Sequence, residues 1–410
     1  MPQHGADLVA TLALSLGAAF LGGLVARRLG LPSIVGYLLA GVVVGPFTPG
    51  LVADPDIAQE LAEIGVALLM FGVGLHFSVR DLLTVRRIAV PGAIVQILTA
   101  TGLGCVLGVL LGWDAVAGAV LGLGISVAST VVLLRALRQR DMVDSEAGRV
   151  AIGWLIVEDL FTVLALVLLP ILATATGADA SGDPTVGGIL ISIGAALGKA
   201  ALLTLIMLVV GARLLPWLLA HVDEEGSAEL FTLAVVAIGL GVAFAAAAIF
   251  DVSLALGAFL AGAVLTESHV SGRAAVHVLP ITDIFTVLFF VSVGMLLDPE
   301  ILVSDPLGIV GVVAVVVLGK GLAAIGIVMA LGGGPRAAAV VALGLAQIGE
   351  FSFIVATTAT GLGLLPEEGF QLVVAAALLS VAVNPLLFRA VDPLEGWIGA
   401  HLVPGAKRVR

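Results

Sequence analysis

Charged residues are scarce in this chain of 410 residues: aspartate, glutamate, lysine and arginine together make up 11% of it. Soluble domains carry about 25% charged residues. Hydrophobic residues make up 60% of the chain, and the mean hydropathy is +1.22. This composition excludes an ordinary cytosolic enzyme, a disordered protein and a nucleic-acid-binding protein.

Cysteine is nearly absent, since Cys105 is the only one. A single cysteine excludes an intramolecular disulfide and a metal site built from cysteines. The sequence also lacks a P-loop, a G-x-G-x-x-G motif after a strand, zinc-ligand spacing and the nucleophile elbow of hydrolases. We therefore expect no enzyme activity, no cofactor, no resident metal and no drive by ATP, so that transport by this chain would run on an ion gradient.

Long apolar runs, separated by glycine, proline and charged clusters, fill most of the chain. A membrane-spanning helix needs about 20 mostly apolar residues. The runs therefore predict an all-α polytopic membrane protein with thirteen transmembrane helices. The predicted spans are 6–27, 31–46, 56–76, 87–112, 114–138, 145–175, 186–219, 228–249, 252–270, 276–297, 305–331, 335–362 and 367–390.

The basic residues support this count. When alternate loops are assigned to the cytoplasm, starting after the first helix, sixteen of the eighteen lysines and arginines fall in those loops or at adjoining helix ends. The other two, Lys199 and Lys320, fall inside predicted spans. Because basic loops face the cytoplasm, the sequence predicts an N-terminus outside and a basic cytoplasmic tail at 401–410.

Three short segments recur in the same order about 220 residues later. Segment 36–41 recurs at 257–262, segment 71–75 at 291–295, and segment 121–123 at 343–345. The copies are seven predicted helices apart, so the second copy would cross the membrane in the opposite direction. Inverted repeats are typical of secondary transporters, which bind substrate near the midplane at discontinuous helices. Chance similarity between apolar helices is the alternative.

Two adjacent acids, Glu158 and Asp159, lie in the middle of a predicted span. Ionisable residues inside the membrane are costly and indicate function. A desolvated carboxylate disfavours its charged form, so it can hold a proton at one moment and a cation at another. Lys320, also inside a span, is the natural counter-ion, although a lysine can instead extend to the membrane interface. A purely structural role for both acids is the alternative.

Polar residues interrupt two repeat-related helices at matching depth, Ser129 and Thr130 in one and Gln347 and Glu350 in the other. They predict two unwound stretches that cross, whose free carbonyls and helix ends bind ions. Hydrogen bonding between regular helices is the alternative. Glu63, in the third predicted helix, is a candidate for a water-filled inlet or for a structural role.

Seven segments resemble the cation:proton antiporter-2 family, and within it the bacterial Kef-type potassium/proton antiporters. They are 36–46 (GYLLAGVVVGP), 71–77 (FGVGLHF), 128–135 (ASTVVLLR), 153–159 (GWLIVED), 255–262 (ALGAFLAG), 289–295 (FFVSVGM) and 344–351 (GLAQIGEF). The resemblance implies a sodium/proton-antiporter-like fold, with one transmembrane domain over 1–400. It implies scaffold helices within 6–76 and 228–297, core helices within 87–175 and 305–390, and a linker helix at 186–219.

The resemblance also implies roles for individual residues. Asp159 matches the aspartate on which cation and proton compete, with Ser129 and Thr130 beside it as ion-binding residues. Glu158 occupies the preceding position, which varies between acid and amide within the fold, and Lys320 matches a basic residue that pairs with that site. We expect Glu158 and Lys320 to pair and to support the site. Kef-type proteins usually carry a cytoplasmic nucleotide-binding regulatory domain, and this sequence has no Rossmann signature after the membrane part, so it corresponds to a natural short form or a truncated one. The segment 268–277 lacks the acids of glutathione-gated members, which argues against glutathione control.

The sequence thus predicts a homodimeric antiporter of the bacterial inner membrane, with its C-terminus in the cytoplasm. It would exchange a monovalent cation, K⁺ in preference to Na⁺, for protons by an elevator-type mechanism. The first alternative is a gated, channel-like path for cation efflux without obligatory proton coupling. A carrier for organic acids and a regulatory membrane subunit are more distant alternatives.

Overall fold

The computed structural model of the chain describes residues 3–49, 52–76, 79–176, 186–250, 252–266 and 268–402. Every regular element in these ranges is helical. In chain order the helices are α1 (Gln3–Arg28), α2 (Ser33–Val44), α3 (Pro55–His76), α4 (Val79–Leu110), α5 (Ala115–Gly124), α6 (Thr130–Arg138), α7 (Glu146–Thr176), α8 (Val186–Ile206), α9 (Ala212–Glu224), α10 (Ala228–Phe250), α11 (Leu254–Thr266), α12 (Ser271–Met295), α13 (Ile301–Ser304), α14 (Pro306–Ala314), α15 (Lys320–Ala330), α16 (Pro335–Gly344), α17 (Glu350–Gly361), α18 (Glu367–Arg389) and α19 (Val391–Leu402).

The all-helical membrane fold predicted from the apolar runs is confirmed. Within the described residues, nine helical segments are long and apolar enough to cross a membrane, and α2, α5, α11 and α16 are shorter apolar helices. The count of thirteen spans stays a prediction. Two π-helical turns, Met207–Gly211 and Val315–Gly319, join α8 to α9 and α14 to α15 without a break.

The structure corrects two predicted spans and part of the predicted tail. The runs 114–138 and 335–362 are not continuous helices, because each is broken near its middle into two short helices. Of the predicted tail 401–410, residues 401 and 402 belong to α19, and the rest lies outside the described residues. The short helix α13 and the whole of α19 fall outside all predicted spans.

The chain divides into two compact units, each built from both halves of the sequence. Unit 1 comprises Met1–Val25, Gly36–Ser78 and Val163–Leu296, and unit 2 comprises Ala26–Val35, Val79–Thr162 and Leu297–Arg410. The scaffold and core assignments made from the resemblance stay predictions.

Unit 1 contains two glycine contacts that the internal repeat relates to each other. A Cβ at Gly41 of α2 would lie 2.1 Å from the Val291 carbonyl oxygen of α12, and Gly294 of α12 approaches α2 equally closely. In the second copy, Gly262 of α11 meets α3 in the same way, with the Phe71 carbonyl oxygen 2.2 Å from its ideal Cβ. Small residues allow helix backbones in membranes to approach this closely. Equivalent segments therefore make equivalent contacts, as expected of an inverted repeat.

In unit 2, the two broken helices cross at their interruptions. Residues 125–129 separate α5 from α6, and residues 345–349 separate α16 from α17. The Gly349 N–H donates to the Val127 carbonyl oxygen at 3.0 Å, and a Cβ at Gly349 would lie 2.6 Å from the Ala128 carbonyl. The predicted pair of crossing unwound stretches is confirmed.

Local sequence explains where α5 and α6 begin and end. Asp114 caps the N-terminus of α5 by accepting hydrogen bonds from the Val116 and Ala117 N–H groups. At the other end the Ser126 hydroxyl donates to the Leu123 carbonyl at 2.7 Å, and Ser129 caps α6 by accepting from Val132 N–H at 3.3 Å. Serine and aspartate stabilise helix N-termini in this way, so an apolar run with these residues in its middle forms two short helices.

The last helix is attached to unit 2 by ion pairs. Asp392 of α19 pairs with Arg336 at 2.7 Å and with Arg140 at 3.2 Å. Arg336 also pairs with Glu395 at 2.6 Å. These contacts join α19 to the start of α16 and to the loop that follows α6.

Candidate ion-binding site

Two adjacent carboxylates, Glu158 and Asp159, lie in the middle of α7, with exposed fractions of 0% and 8%. Successive residues on a helix point about 100° apart, so the two side chains face different neighbours. Glu158 faces α4 and the break before α6, whereas Asp159 faces the first residue of α6.

Glu158 is held by two hydrogen-bond donors. Its Oε2 accepts from the Ala128 N–H in the break before α6 at 2.9 Å, and its Oε1 accepts from Nε2 of Gln96 in α4. The carboxylate thereby satisfies a backbone amide that the interruption leaves free, which would otherwise cost several kcal/mol in the membrane. Glu158 therefore supports the broken helix directly.

Lys320 is the buried cation of the site, with 1% of its surface exposed. It follows immediately after the π-helical turn Val315–Gly319, and such turns are frequent at functional sites. Its Nζ donates to the Gln347 carbonyl oxygen at 3.4 Å, and it interacts electrostatically with Glu158. The ion pair predicted from sequence stays a prediction, because the two side chains make no direct salt-bridge contact in this structure.

The two charges complement the ends of the broken helices. Glu158 meets the amide that precedes the N-terminus of α6, and Lys320 meets a carbonyl that follows the C-terminus of α16. Helix N-termini carry partial positive charge and C-termini partial negative charge. Both buried charges are therefore placed where the backbone dipoles favour them.

Gln347 joins the two interruptions through its side chain. Its Oε1 accepts from the Ser129 N–H at 3.1 Å, and its Nε2 donates to the Ser129 carbonyl oxygen at 3.1 Å. The amide thus satisfies both backbone groups of one unwound residue. Because Ser129 Oγ caps α6, the backbone and side chain of this serine both have defined partners.

Asp159 and Glu350 present unused acceptor atoms. Thr130 Oγ1 donates to Asp159 Oδ2 at 3.2 Å, whereas Asp159 Oδ1 is buried with no hydrogen-bond partner among the described residues. Glu350, the first residue of α17, is 4% exposed, and its Oε2 is likewise buried and unpartnered within the described part of the chain. The two carboxylates interact electrostatically. Unpaired buried acceptors of this kind call for a bound proton or cation.

The charges of the cluster do not balance. It holds the three buried carboxylates of Glu158, Asp159 and Glu350 and one ammonium group, that of Lys320, a net charge of −2 when all four are ionised. Burying uncompensated charge in a low-dielectric interior is strongly unfavourable. The site can relieve the imbalance by taking up protons or a monovalent cation, and the two compete for the same oxygen atoms.

The structure brings together all but one of the residues proposed from the sequence for the site, and their roles stay predictions. Those within the cluster are Asp159, Glu158, Lys320, Ser129, Thr130, Gln347 and Glu350. Glu63 is exposed on α3 in unit 1 and is not part of the cluster. Its assignment to an inlet stays a prediction.

Three supporting residues were missed because only ionisable groups and the polar breaks were considered. They are Gln96, which holds Glu158, and two residues of α18. Ser380 Oγ accepts from Ile348 N–H at 3.2 Å, and Asn384 Nδ2 donates to the Leu343 carbonyl at 2.9 Å. Each is an uncharged polar residue in an apolar run, and this signal would have identified them, since amides and hydroxyls join helices in membranes.

Comparison with known proteins places the chain in a family. The family described as "Sodium/hydrogen exchanger, transmembrane" matches residues 16–391. The chain is 53% identical over 390 residues to YbaL of Escherichia coli (strain K12), whose name assigns it provisionally to the cation/proton antiporters; the match covers 95% of this chain and 69% of that protein. It is 31% identical over 386 residues to K(+) efflux antiporter 4 of Arabidopsis thaliana, covering 94% of this chain and 64% of that protein.

The fold is similar to that of a solved transporter. The sodium proton antiporter MjNhaP1 from Methanocaldococcus jannaschii superimposes with a TM-score of 0.66 over 95% of this chain and 99% of that chain. Sequence identity is 17%, so this likeness establishes the fold alone.

Proposed function

Because the chain belongs to the sodium/hydrogen exchanger family, and is accordingly a multi-pass cation/proton antiporter, we propose that it exchanges K⁺ for protons at the Asp159 cluster. The observation that carries the proposal is the pair of buried, unpartnered acceptors on Asp159 and Glu350 within a cluster of net negative charge. Na⁺ is the second choice of cation.

The proposed exchange follows from competition at Asp159. With the carboxyl group ionised, Asp159 Oδ1 and Glu350 Oε2 supply anionic oxygen to a monovalent cation, and Thr130 holds the other oxygen of Asp159. Protonation of Asp159 removes the charge that binds the cation, so the cation leaves. A carboxylate that holds only one of the two at a time couples their movement in opposite directions.

The preference for K⁺ is supported by names of relatives rather than by geometry. Three Arabidopsis thaliana proteins that are 31% to 32% identical to this chain are named K(+) efflux antiporters. The structure contains no ion, and oxygen ligands of this type suit both K⁺ and Na⁺.

We propose that transport uses an elevator-type motion in a homodimer of the bacterial inner membrane, with the N-terminus outside and the C-terminus in the cytoplasm. The contacts that define the site all come from unit 2, within the ranges Val79–Thr162 and Leu297–Arg410. This containment supports movement of the site as one body. The proposed orientation rests on the segregation of the basic residues.

Proton flux in proteoliposomes tests the exchange. We expect the wild-type protein to dissipate an imposed pH gradient on addition of K⁺, less well with Na⁺, and the Asp159→Asn protein to show no cation-dependent flux. Asp114→Asn is the matched control, because asparagine also caps a helix N-terminus, and it should transport normally. Wild-type exchange by Asp159→Asn would contradict the site, and cation flux without proton movement would contradict the coupling.

Thiol accessibility tests the elevator motion. Val131 is exposed on α6 beside Thr130, and Cys105→Ser removes the only native thiol. We expect Val131→Cys in that background to react with a membrane-impermeant reagent from opposite sides as the cation and proton gradients are reversed. Reaction from one side under all gradients would contradict an elevator.

A further inference from the structure

A cavity of about 220 Å³ lies in unit 2 where α6 and α18 end. It is lined by three arginines, Arg135, Arg140 and Arg389, by Asn384, and by Gly30 and Pro32 of the loop between α1 and α2. We call it the arginine pocket. It contains no acidic lining residue, and its only lining residue among the supporting residues of the ion-binding cluster is Asn384, which supports α16 through the Leu343 carbonyl.

One of the three arginines is committed to structure. Arg140 pairs with Asp392 at 3.2 Å, donates to the Arg389 carbonyl oxygen at 3.5 Å and lies over the Phe388 ring at 5.7 Å. Its position is therefore fixed by protein contacts.

The other two arginines have no such partners. Within the described part of the chain, no carboxylate pairs with the side chain of Arg135 or Arg389. Arg135 is half-buried in the pocket wall. Arg389 is exposed. Two arginines without a paired carboxylate in one pocket lining give it a net positive charge, which a bound anion would neutralise. Guanidinium groups bind phosphate oxygens through paired hydrogen bonds.

Two simpler explanations account for only part of this arrangement. Cations near a helix C-terminus are favoured by the helix dipole, and arginines collect on the cytoplasmic side of membrane proteins. Both explain Arg138, which lies in the same last turn of α6 but is exposed and outside the pocket. Arg389, exposed in the last turn of α18, fits them as well. Neither explains why the half-buried Arg135 lines a cavity that has no acidic lining residue. A cation entrance is also disfavoured, because three arginines repel cations.

The pocket has a polar interior besides its charges. Asn384 is fully buried at the pocket wall; its Nδ2 donates to the Leu343 carbonyl oxygen, and its Oδ1 has no partner among the described residues. Pro32, Val132 and Phe388 supply apolar surface beside it. An anionic group flanked by apolar wall is suited to a phosphate that carries an organic substituent.

We propose that the arginine pocket binds a phosphate group, either the headgroup of an anionic lipid or a soluble phosphate compound. Arg135 and Arg389 supply the paired donors, and Arg140 adds positive charge. The site is distinct from the cation cluster and does not depend on the proposed exchange.

The pocket wall is continuous with elements that hold the cation cluster. Arg135 follows Thr130 by five residues on α6, about 7.5 Å along the helix axis. On α18, Ser380 binds the backbone of the second interruption, and Asn384 binds the Leu343 carbonyl in the last turn of α16. An occupant that bridges Arg135, Arg389 and the Gly30 loop therefore restrains both α6 and α18. If the chain exchanges cations as proposed above, filling the pocket lowers the maximal exchange rate.

Ligand binding to the purified full chain in detergent tests the proposal without any transport assay. The lipid probe is short-chain phosphatidylglycerol, and short-chain phosphatidylcholine is its control without net charge. The soluble probe is inorganic phosphate, and chloride at equal ionic strength is its control. Binding is followed by the shift in melting temperature and by native mass spectrometry. The test variant is Arg135→Gln/Arg389→Gln. The matched control, Arg138→Gln/Arg28→Gln, loses the same charge from exposed helix ends outside the pocket.

We expect at least about a tenfold weaker apparent Kd in the test variant, since hydrogen bonds to charged groups contribute that much or more, and at most a small change in the control. Binding of phosphatidylglycerol alone identifies a lipid headgroup, and binding of inorganic phosphate as well identifies a soluble ligand. If the double variant does not fold, Arg135→Lys keeps the charge but loses the paired donors and should still weaken binding.

Three results would overturn the proposal. One is the absence of binding by any probe, and another is equal weakening in the test and control variants, which would indicate general surface charge. The third is a lower KM for K⁺ in Arg135→Gln/Arg389→Gln without any phosphate present, which would make the cavity a cation entrance. Failure of cation exchange with intact phosphate binding would instead contradict only the proposed function.

Discussion

Removal of the Lys320 charge is the sharpest test of how the cluster is balanced. Lys320→Met keeps the length and apolar stem of the side chain but leaves three buried carboxylates without a buried cation. Breaking a buried charge pair by deleting one partner costs about 3–5 kcal/mol. The lost hydrogen bond to the Gln347 carbonyl adds little, because it spans 3.4 Å and a typical hydrogen bond contributes about 1 kcal/mol. We expect the free energy of unfolding to fall by roughly 3–5 kcal/mol.

A second substitution should restore much of that loss. Glu158→Gln in the Lys320→Met background returns the cluster to the charge count of the wild type. The Gln96 amide can turn so that its Oε1, which has no partner among the described residues, accepts from the amide introduced at position 158 while Ala128 N–H keeps an oxygen acceptor. We therefore expect the double variant to be more stable than Lys320→Met alone.

Denaturant titration in mild detergent, followed by tryptophan fluorescence at neutral pH, measures these differences. Lys199→Met is the matched control: it makes the same replacement at an exposed lysine of α8, and exposed charges contribute about 0–1 kcal/mol. If the double variant lost the full sum of the two single effects, Lys320 and Glu158 would not be coupled and the charge balance derived above would be wrong.

Two further predictions concern packing and the last helix. Gly41→Ala and its repeat-related counterpart Gly262→Ala should each lower the free energy of unfolding by about 1–3 kcal/mol, because the new methyl group would lie 2.1 and 2.2 Å, respectively, from a carbonyl oxygen. The control Gly102→Ala has no atom within 4 Å of the new Cβ and should leave the free energy of unfolding nearly unchanged. Equal effects at all three positions would contradict the close-contact explanation. Acid should release α19, since the hydrogen bond from Arg336 and the charge of Arg140 hold the pKa of Asp392 below its usual value of about 3.9. The contribution of Asp392 to stability is complete above its usual pKa and is lost as the pH falls through its lowered pKa in the folded protein. Deuterium exchange over residues 391–402 should therefore accelerate below about pH 4. In the Asp392→Asn protein these residues should already exchange fast at neutral pH, with no further acceleration in acid.

Apolar runs and polar interruptions in the sequence predict much of this fold. The helices follow from runs of apolar residues, and the interruptions follow from Ser129 and Gln347, whose polar groups have no place in a regular apolar span. The repeat predicts that the two interruptions lie at equal depth, and the contact between Gly349 and Val127 agrees with it.

The remaining features depend on partners that are distant in sequence. Nothing in periodicity indicates that Gln347 binds both backbone groups of a residue 218 positions earlier. The π-helical turn before Lys320 contains no proline and only one glycine, Gly319. Regular apolar helices of this chain, such as α2, contain glycine as well, so the sequence does not mark where this turn forms. Gln96 was missed because an uncharged amide carries a weaker sequence signal than a buried charge, although it contacts Glu158 as directly as any residue of the site.

The bonds between Ser129 and Gln347 also constrain how the chain assembles during synthesis. At translation rates of 5–20 residues per second, the first interruption precedes its partner by about 10–40 s. Throughout that interval the backbone of Ser129 lacks the amide that satisfies it in the finished protein, and unsatisfied groups cost several kcal/mol in hydrocarbon. A continuous helix over 114–138 would satisfy its central backbone groups internally. We therefore expect the break, although the Ser126 and Ser129 side chains favour it locally, to become stable only after the second half has been inserted.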